Sequence, residues 1–371
     1  MKFWLSLLVA LTLTIPLLGF SPNSCLFLGM EQSCVNLAMG GHAIGNVNIW
    51  HNSPLSSLSN PASGAFREGI SWGFSEKDWL KATGFGYTSN SSLVNLGWDG
   101  VSLTLPSYKL EDRSGVYFDL GMAGSELSSY HAYDSAEVYG FAFDAVKLAG
   151  KLVNVPFVEE HFSLAGGMNY LSIESHYYPP SSPYGKGKGE SWDIGTAGRF
   201  SWKDESGVKL EAVAAYTHRN AFDDKIDWGN GMKDPIWESE SVGYALGASL
   251  SAETLLGNSK LIFCENLLSA RYLSSSSNES GYISKGYGGE LGLLDTFFLR
   301  RGRYDDCQGD VTGATWGYGV NLHYKDYVSV SWNYAKYPGG NLSPNQEARD
   351  VNANLNLMKV SKGLFSLLSG K

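Results

Sequence analysis

The sequence predicts an all-β fold: an antiparallel transmembrane β-barrel of about 14 strands, with an N-terminal hatch segment in or under its lumen. Three observations carry this. From Gly69 onward apolar residues recur with period two between turn residues, which is the strand signal. The faces opposite those apolar residues carry Gly, Ala, Ser and Asn far more than Lys and Glu. Short connections alternate with long polar ones, as they do between the two ends of an outer-membrane barrel.

Composition agrees. The 371 residues include 44 Gly and 13% aromatics, with only 18% charged residues, against a usual charged fraction of about 25%. Glycine beside Tyr, Trp and Phe suits sheets that curve tightly and turn aromatic rings toward lipid. The net charge of -9 and the lack of a Lys/Arg cluster exclude a nucleic-acid partner, which needs a basic face.

Residues 1–21 read as a signal peptide: Lys2, an almost unbroken apolar run from Phe3 to Phe20, and small residues at Gly19 and Ser21. A lipoprotein site at Cys25 is the alternative. No later stretch reaches the ~18–20 uncharged apolar residues of a membrane helix. In an exported chain cysteines are free to pair, and Cys25 with Cys34 is a possible disulfide. Cys264 and Cys307 read equally well as small buried thiols.

Residues 22–67 form the candidate hatch. They break the strand rhythm and hold two compact marks, Met39-Gly40-Gly41 and Asn60-Pro61-Ala62. The glycine pair allows close backbone approach or positive φ. Pro61 fixes its own φ and pushes Asn60 toward an extended conformation.

The barrel is read over 68–360. Its clearest strands are at the C-terminal end, where Val328, Val330, Trp332 and Tyr334 oppose Ser329, Ser331 and Asn333. Val351, Ala353, Leu355 and Leu357 likewise oppose Asn352, Asn354 and Asn356. Parity puts Asp193, Arg199, Glu211, Glu290, Asn321, His323, Asn333, Asn352, Asn354 and Asn356 on the lumen side, together with Asp119 and Lys209. Hydrating the interior and holding the hatch by hydrogen bonds is a sufficient role for them. Short turns fall at Lys203 to Gly207, Leu255 to Ser259, Asp295-Thr296 and Lys325-Asp326; long polar stretches fall at Tyr178 to Gly189, His218 to Glu238, Ser274 to Ser284, Asp305 to Asp310 and Pro338 to Ala348. The stretch from Asp144 to Val158 extends a strand or forms a short amphipathic helix beside the barrel. Residues 361–371 read as a short amphipathic tail on the periplasmic side.

Catalysis finds no support. The seven His show no HExxH or other metal spacing, Gly-x-Ser-x-Gly is absent, and Gly185 to Gly189 lacks the Gly-Lys-Ser/Thr ending of a phosphate loop. No enzyme activity, metal or cofactor is expected.

The two marks, taken with the barrel pattern, resemble the FadL-like outer-membrane proteins and most closely their PorV/PorQ-like branch. Glu290, the run from Leu299 to Tyr304 and the segment from Thr315 to Val320 resemble that branch's paired-strand motifs. His42, in place of a small residue after the glycine pair, departs from the pattern. The resemblance implies an outer membrane of the Gram-negative type, outer-membrane lipid around the barrel, and a hydrophobic small-molecule ligand that is passed or bound. A secretion-system or cargo protein held by a type IX-related scaffold is the alternative. Outside the resemblance, a secreted soluble β-sandwich that binds glycans is a further reading. Both alternatives place contacts on loop aromatics at Tyr184, Trp228 and Trp237.

Overall fold

The computed structural model describes residues 31–41, 53–79, 87–113, 117–118, 129–151, 153, 156–178, 185–229, 231–251, 264–279, 281–306, 311–324, 327–339, 345–357 and 359–360. The stretches read as signal peptide and C-terminal tail, the short turns expected at Leu255 to Ser259 and Lys325-Asp326, and Cys25, Asp119, Tyr184 and Cys307 lie outside the described residues.

Fourteen long antiparallel strands form one sheet that closes on itself. They are β1 (Gly69–Trp79), β2 (Tyr87–Trp98), β3 (Val101–Arg113), β4 (Ser129–Asp144), β5 (Phe162–Tyr178), β6 (Lys186–Lys203) and β7 (Val208–Arg219), followed by β8 (Ser239–Ser251), β9 (Asn266–Glu279), β10 (Tyr282–Leu293), β11 (Phe297–Asp306), β12 (Val311–Tyr324), β13 (Val328–Tyr337) and β14 (Gln346–Leu355). Each pairs with the next in sequence, and β1 pairs with both β2 and β14, Trp72 standing opposite Val94 on one side and Ala353 on the other. The sheet therefore has no open edge. Closure replaces the soluble sandwich, whose sheets would each end in two.

The alternation is realised as an inside and an outside. On β1, Ser71, Ser75 and Lys77 are buried while Ile70 and Trp72 are exposed. On β12, Trp316, Tyr318, Leu322 and Tyr324 are exposed and Thr315 is fully buried. Large apolar residues turned outward all around a closed barrel fit a lipid surround rather than water. On β6 the outward rings Trp192 and Trp202 are ten residues apart; at about 3.4 Å per residue and a tilt of about 40° this spans roughly 26 Å, the height of a barrel's apolar band. Among the described residues no helix is long and apolar enough to cross a membrane.

Tight turns sit at the end shared by Gly69 and Leu355, here the lower rim. Asp99 and Gly100, with φ of 50° and 81°, join β2 to β3 as a two-residue hairpin, the geometry Asp-Gly favours because both positions need positive φ. The Asp99 carboxyl is held below the usual carboxylate range, chiefly by its hydrogen bond from Lys151, whose Nζ lies 2.7 Å away. That pair ties the hairpin to two short helices, α3 (Ala145–Gly150) and α4 (Pro156–His161), which occupy the stretch after β4.

One connection differs from the sequence reading. Ser274 to Ser284 is not a long loop: β9 runs to Glu279 and β10 starts at Tyr282. By contrast 220–238 folds into two short paired strands, Lys225–Asp227 and Lys233–Pro235, which turn back onto the inner face of β6. A Cβ on Gly187 would meet Trp228, and one on Gly189 would lie 3.1 Å from Ile236 Cδ1.

Candidate functional site

The described parts of 31–66 lie inside the barrel wall and are buried throughout except half-buried Phe66. They comprise α1 (Cys34–Ala38), α2 (Ser56–Ser59) and a 3₁₀ turn, Pro61–Phe66. Such short helices are marginal alone. Here the wall supplies their missing partners.

Helix α1 is held at both ends. The Cys34 amide donates to Asp350 Oδ2 at 2.8 Å, and Thr315 Oγ1 donates to the Ala38 carbonyl at 2.8 Å. The chain then passes through Met39 to Gly40 and Gly41, with φ of 118° and 75°. Gly40 lies so close to the wall that a Cβ would be 2.6 Å from the Tyr287 nitrogen and 2.9 Å from the Arg303 oxygen. The Met39 carbonyl group rests against Gly288 and Gly302, which are partners across β10 and β11.

The second mark is seated the same way. Asn60 Oδ1 accepts from the Ala62 amide at 2.9 Å and caps the 3₁₀ turn, in which Pro61 is the first residue. Its Nδ2 donates to the Tyr216 carbonyl at 3.1 Å. A Cβ on Gly167 would fall 2.6 Å from the Pro61 carbonyl carbon, and one on Gly195 would strike Asn60 Oδ1. Gly167 and Gly195 are again partners, across β5 and β6. Each mark thus lies on a cross-strand glycine pair, where the absence of Cβ lets backbone touch backbone.

Side chains complete the fastening. Arg67 Nη1 donates to Ser57 Oγ at 2.9 Å and Nη2 to Ser63 Oγ at 3.2 Å, with a further contact to Ser56. Arg219 donates to the Leu58 carbonyl and Asn169 to the Ser57 carbonyl, each at 2.8 Å. Glu31 accepts from Ser59 Oγ and the Ser33 amide, while Lys77 Nζ donates to the Glu31 carbonyl.

A polar chain runs round the inner wall. Arg271 and Arg300 each place a nitrogen 2.6 Å from Glu290, on its two separate oxygens. Arg300 Nη1 reaches Asn333 Oδ1 at 3.0 Å, Asn333 Nδ2 reaches Asp350 Oδ1 at 2.7 Å, and Asn352 Nδ2 reaches the same oxygen at 3.0 Å. Ser53 Oγ donates to Asn352, and Asn354 Nδ2 donates to Ser71 Oγ at 2.7 Å across the closure.

Of the residues singled out by parity, Glu290, Asn333, Asn352 and Asn354 stand in this chain. Arg199 and Glu211 form a separate pair near the lower rim, with Lys209 Nζ 3.0 Å from Glu211. Asp193, near the upper rim, accepts from the Asn220 amide at 3.1 Å. Asn321 reaches the Asp295 carbonyl at 3.5 Å, His323 is half-buried, and Asn356 accepts from the Lys359 amide at 3.1 Å below the last strand. The Cys34 thiol is free and buried. Among the described residues no three His, Cys, Asp or Glu are grouped to hold a metal ion.

Sequence reasoning missed Arg67, Arg219, Arg271, Arg300 and Asp350. Four of these are strand residues with inward parity, so the signal was present; Arg67 precedes the barrel, where no periodicity applies.

Above the fastened segment is a packed apolar cluster, in which Leu55 and Leu58 meet Leu93, Val138, Leu171 and Ile173 of the wall and Ile226, Trp228 and Ile236 of the 220–238 connection. Trp228 and Trp237 are 8% and 5% exposed. They are packed inside rather than offered to a glycan or a partner, which corrects the role expected of them.

No family model matches the chain, and no curated protein matches it in sequence. Solved structures with a similar fold include a FadL homologue of Pseudomonas aeruginosa (11% identity, 91% of this chain and 100% of that one, TM-score 0.43). The toluene transporter TbuX of Ralstonia pickettii (11%, 88% and 98%, 0.41) and the CymD monoaromatic hydrocarbon channel (10%, 91% and 99%, 0.41) are similar in the same measure. These are distant likenesses in fold.

Proposed function

We propose that this chain is an outer-membrane barrel of the FadL-like class that passes or binds small hydrophobic molecules, with 31–66 as its hatch. The observation that carries the reading is the apolar cluster inside the barrel, where Leu55 and Leu58 pack with Leu171 and Ile173 of the wall and with Ile226 and Ile236 of the 220–238 connection. A lumen meant only for water and ions has no use for apolar side chains packed across it. A hydrophobic ligand does, since burying its surface contributes about 25 cal/mol per Å². Membership of the PorV/PorQ-like branch rests on the sequence marks, and their seating on paired glycines supports treating them as one device.

The test is reconstitution of the full barrel into liposomes, followed by binding and uptake of fatty acids and alkanes of graded length. Saturable uptake that Leu171→Asp or Ile173→Asp abolishes supports the reading. Protein that neither binds nor passes any of these ligands overturns it.

A further inference from the structure

The outer face of the barrel is not uniform around its circumference. Tyr139, Tyr170, Tyr244, Tyr272 and Tyr287 all point outward toward the upper rim, with ring centroids 6.4 Å apart for Tyr139 and Tyr170 and 6.3 Å for Tyr244 and Tyr272. Such a belt marks the level where acyl chains give way to headgroups. Over β4 to β8 the outward charges at or above this belt are the carboxylates Glu137, Glu174, Glu190 and Glu240 together with Lys186 and Lys188, both of which pair with Glu174.

Over β10 to β13 cations predominate. Lys285, Arg301 and Arg303 are exposed and Lys336 is half-exposed. Register places them together: Arg303 opposite Tyr287, Arg301 opposite Trp316, and Trp316 opposite Lys336. Side chains directly opposite on one face have Cβ atoms about 4.5–5.5 Å apart, so Arg301 and Lys336 flank one indole. Gly289, opposite Arg301 on its other side, leaves that side open. Asp305 stands opposite Lys285 and Glu347 opposite Lys336, whereas Arg301 and Arg303 have no carboxylate directly opposite them. Asp305 takes a hydrogen bond from Thr312 at 2.8 Å, and Glu347 lies 3.7 Å from Arg349. Among the described residues none of the four cations stands in an ion pair.

In a chain of net charge -9, two adjacent arginines on a lipid-facing wall with no carboxylate opposite them, flanked by two lysines, call for an anion. A lipid-facing Arg or Lys is costly at the bilayer midplane and tolerated near the interface, and long side chains reach up to the headgroups. Beneath the cations Trp316, Tyr318, Trp332 and Tyr334 form a packed patch, with ring centroids 5.3–5.6 Å apart for three of its pairs.

We propose that this arc is a binding site for a membrane lipid with an anionic phosphate headgroup. Arg301 and Arg303 hold the phosphate, Lys285 and Lys336 add charge from either side, and the aromatic patch carries the first part of the acyl chains. The site lies outside the barrel, so it requires only that the barrel sit in a membrane and is independent of what passes through the lumen.

The test is native mass spectrometry of the full barrel in detergent, titrated with phosphatidylglycerol or phosphatidylcholine. The wild type should retain phosphatidylglycerol in preference, and R301Q/R303Q should weaken that retention about tenfold, or ~1.4 kcal/mol. E137Q/E190Q, on the acidic arc, should leave it unchanged. R301K/R303K and K285Q/K336Q, checked for heat-modifiable migration, read the same arc if the first variant does not fold; the lysine pair should keep the preference and the glutamine pair should weaken it. Equal retention of both lipids by the wild type, retention insensitive to all the cation variants, or displacement of the lipid by equimolar inorganic phosphate overturns the proposal.

Discussion

Asp350 is the residue on which the inner wall and α1 converge. Its two oxygens accept from Cys34, Asn333 and Asn352 at 2.7–3.0 Å, and it is 1% exposed. Asp350→Ala strands three buried donors at once, and each unsatisfied group costs about 1–3 kcal/mol. The expected result is a lower transition temperature in the heat-modifiability assay, with new protease cleavage near Cys34; unchanged values on both would detach α1 from this role. Glu290 makes a sharper case. It alone joins Arg271 and Arg300, so Glu290→Ala leaves two guanidinium groups without their shared partner, whereas Arg271→Ala leaves the Arg300 contact in place. Breaking a buried pair by removing one partner costs about 3–5 kcal/mol. Glu290→Ala should therefore lower the transition temperature clearly more than Arg271→Ala, and equal drops would mean that the two arginines are not held as one group.

At the scale of elements, two cross-strand glycine pairs decide where the internal segment rests. Gly167→Val and Gly302→Val both place atoms where the segment's backbone now lies, against Pro61 and Met39 respectively. Gly198, on the outer face of β6, has open space where a Cβ would stand, with nothing within 4 Å. Gly198→Val therefore controls for strand propensity. Either inner substitution should raise sugar permeability in liposome swelling while Gly198→Val does not, and equal permeability in all three would show that the seats do not seal the lumen. Strands were legible because apolar residues alternate wherever the wall meets lipid, as in Val328 to Tyr334. They were illegible where it rises above the lipid: Ser274 to Ser277 has no apolar face, yet β9 continues through it on backbone pairing and a 2.9 Å hydrogen bond from Ser241 Oγ to Ser277 Oγ. The seats were half legible. Gly288 and Gly302 have inward parity, but which glycines face one another depends on register, and register is fixed by neighbouring strands rather than by local sequence.

For the whole molecule, two stretches lie within the barrel, the fastened segment and the 220–238 connection above it, and they meet in the apolar cluster. Barriers in series give a leak set by the tighter one. The segment is expected to be the tighter, because it meets the wall over backbone seats and buried polar bonds on both sides, from Thr315 to Arg219, whereas the short strands of the connection pair with the wall at Asp227 opposite Lys188 and otherwise pack through apolar side chains. Deleting 33–66 should therefore raise passive sugar leakage strongly, once heat-modifiable migration shows that the barrel still closes. Deleting 222–235 should leave leakage low but weaken hydrophobic ligand binding, since Ile226 and Trp228 go with it. If the first deletion leaves leakage unchanged, the segment is packing and not a hatch; if the second alone opens the pore, the order of the two barriers is reversed and the gate is at the upper rim.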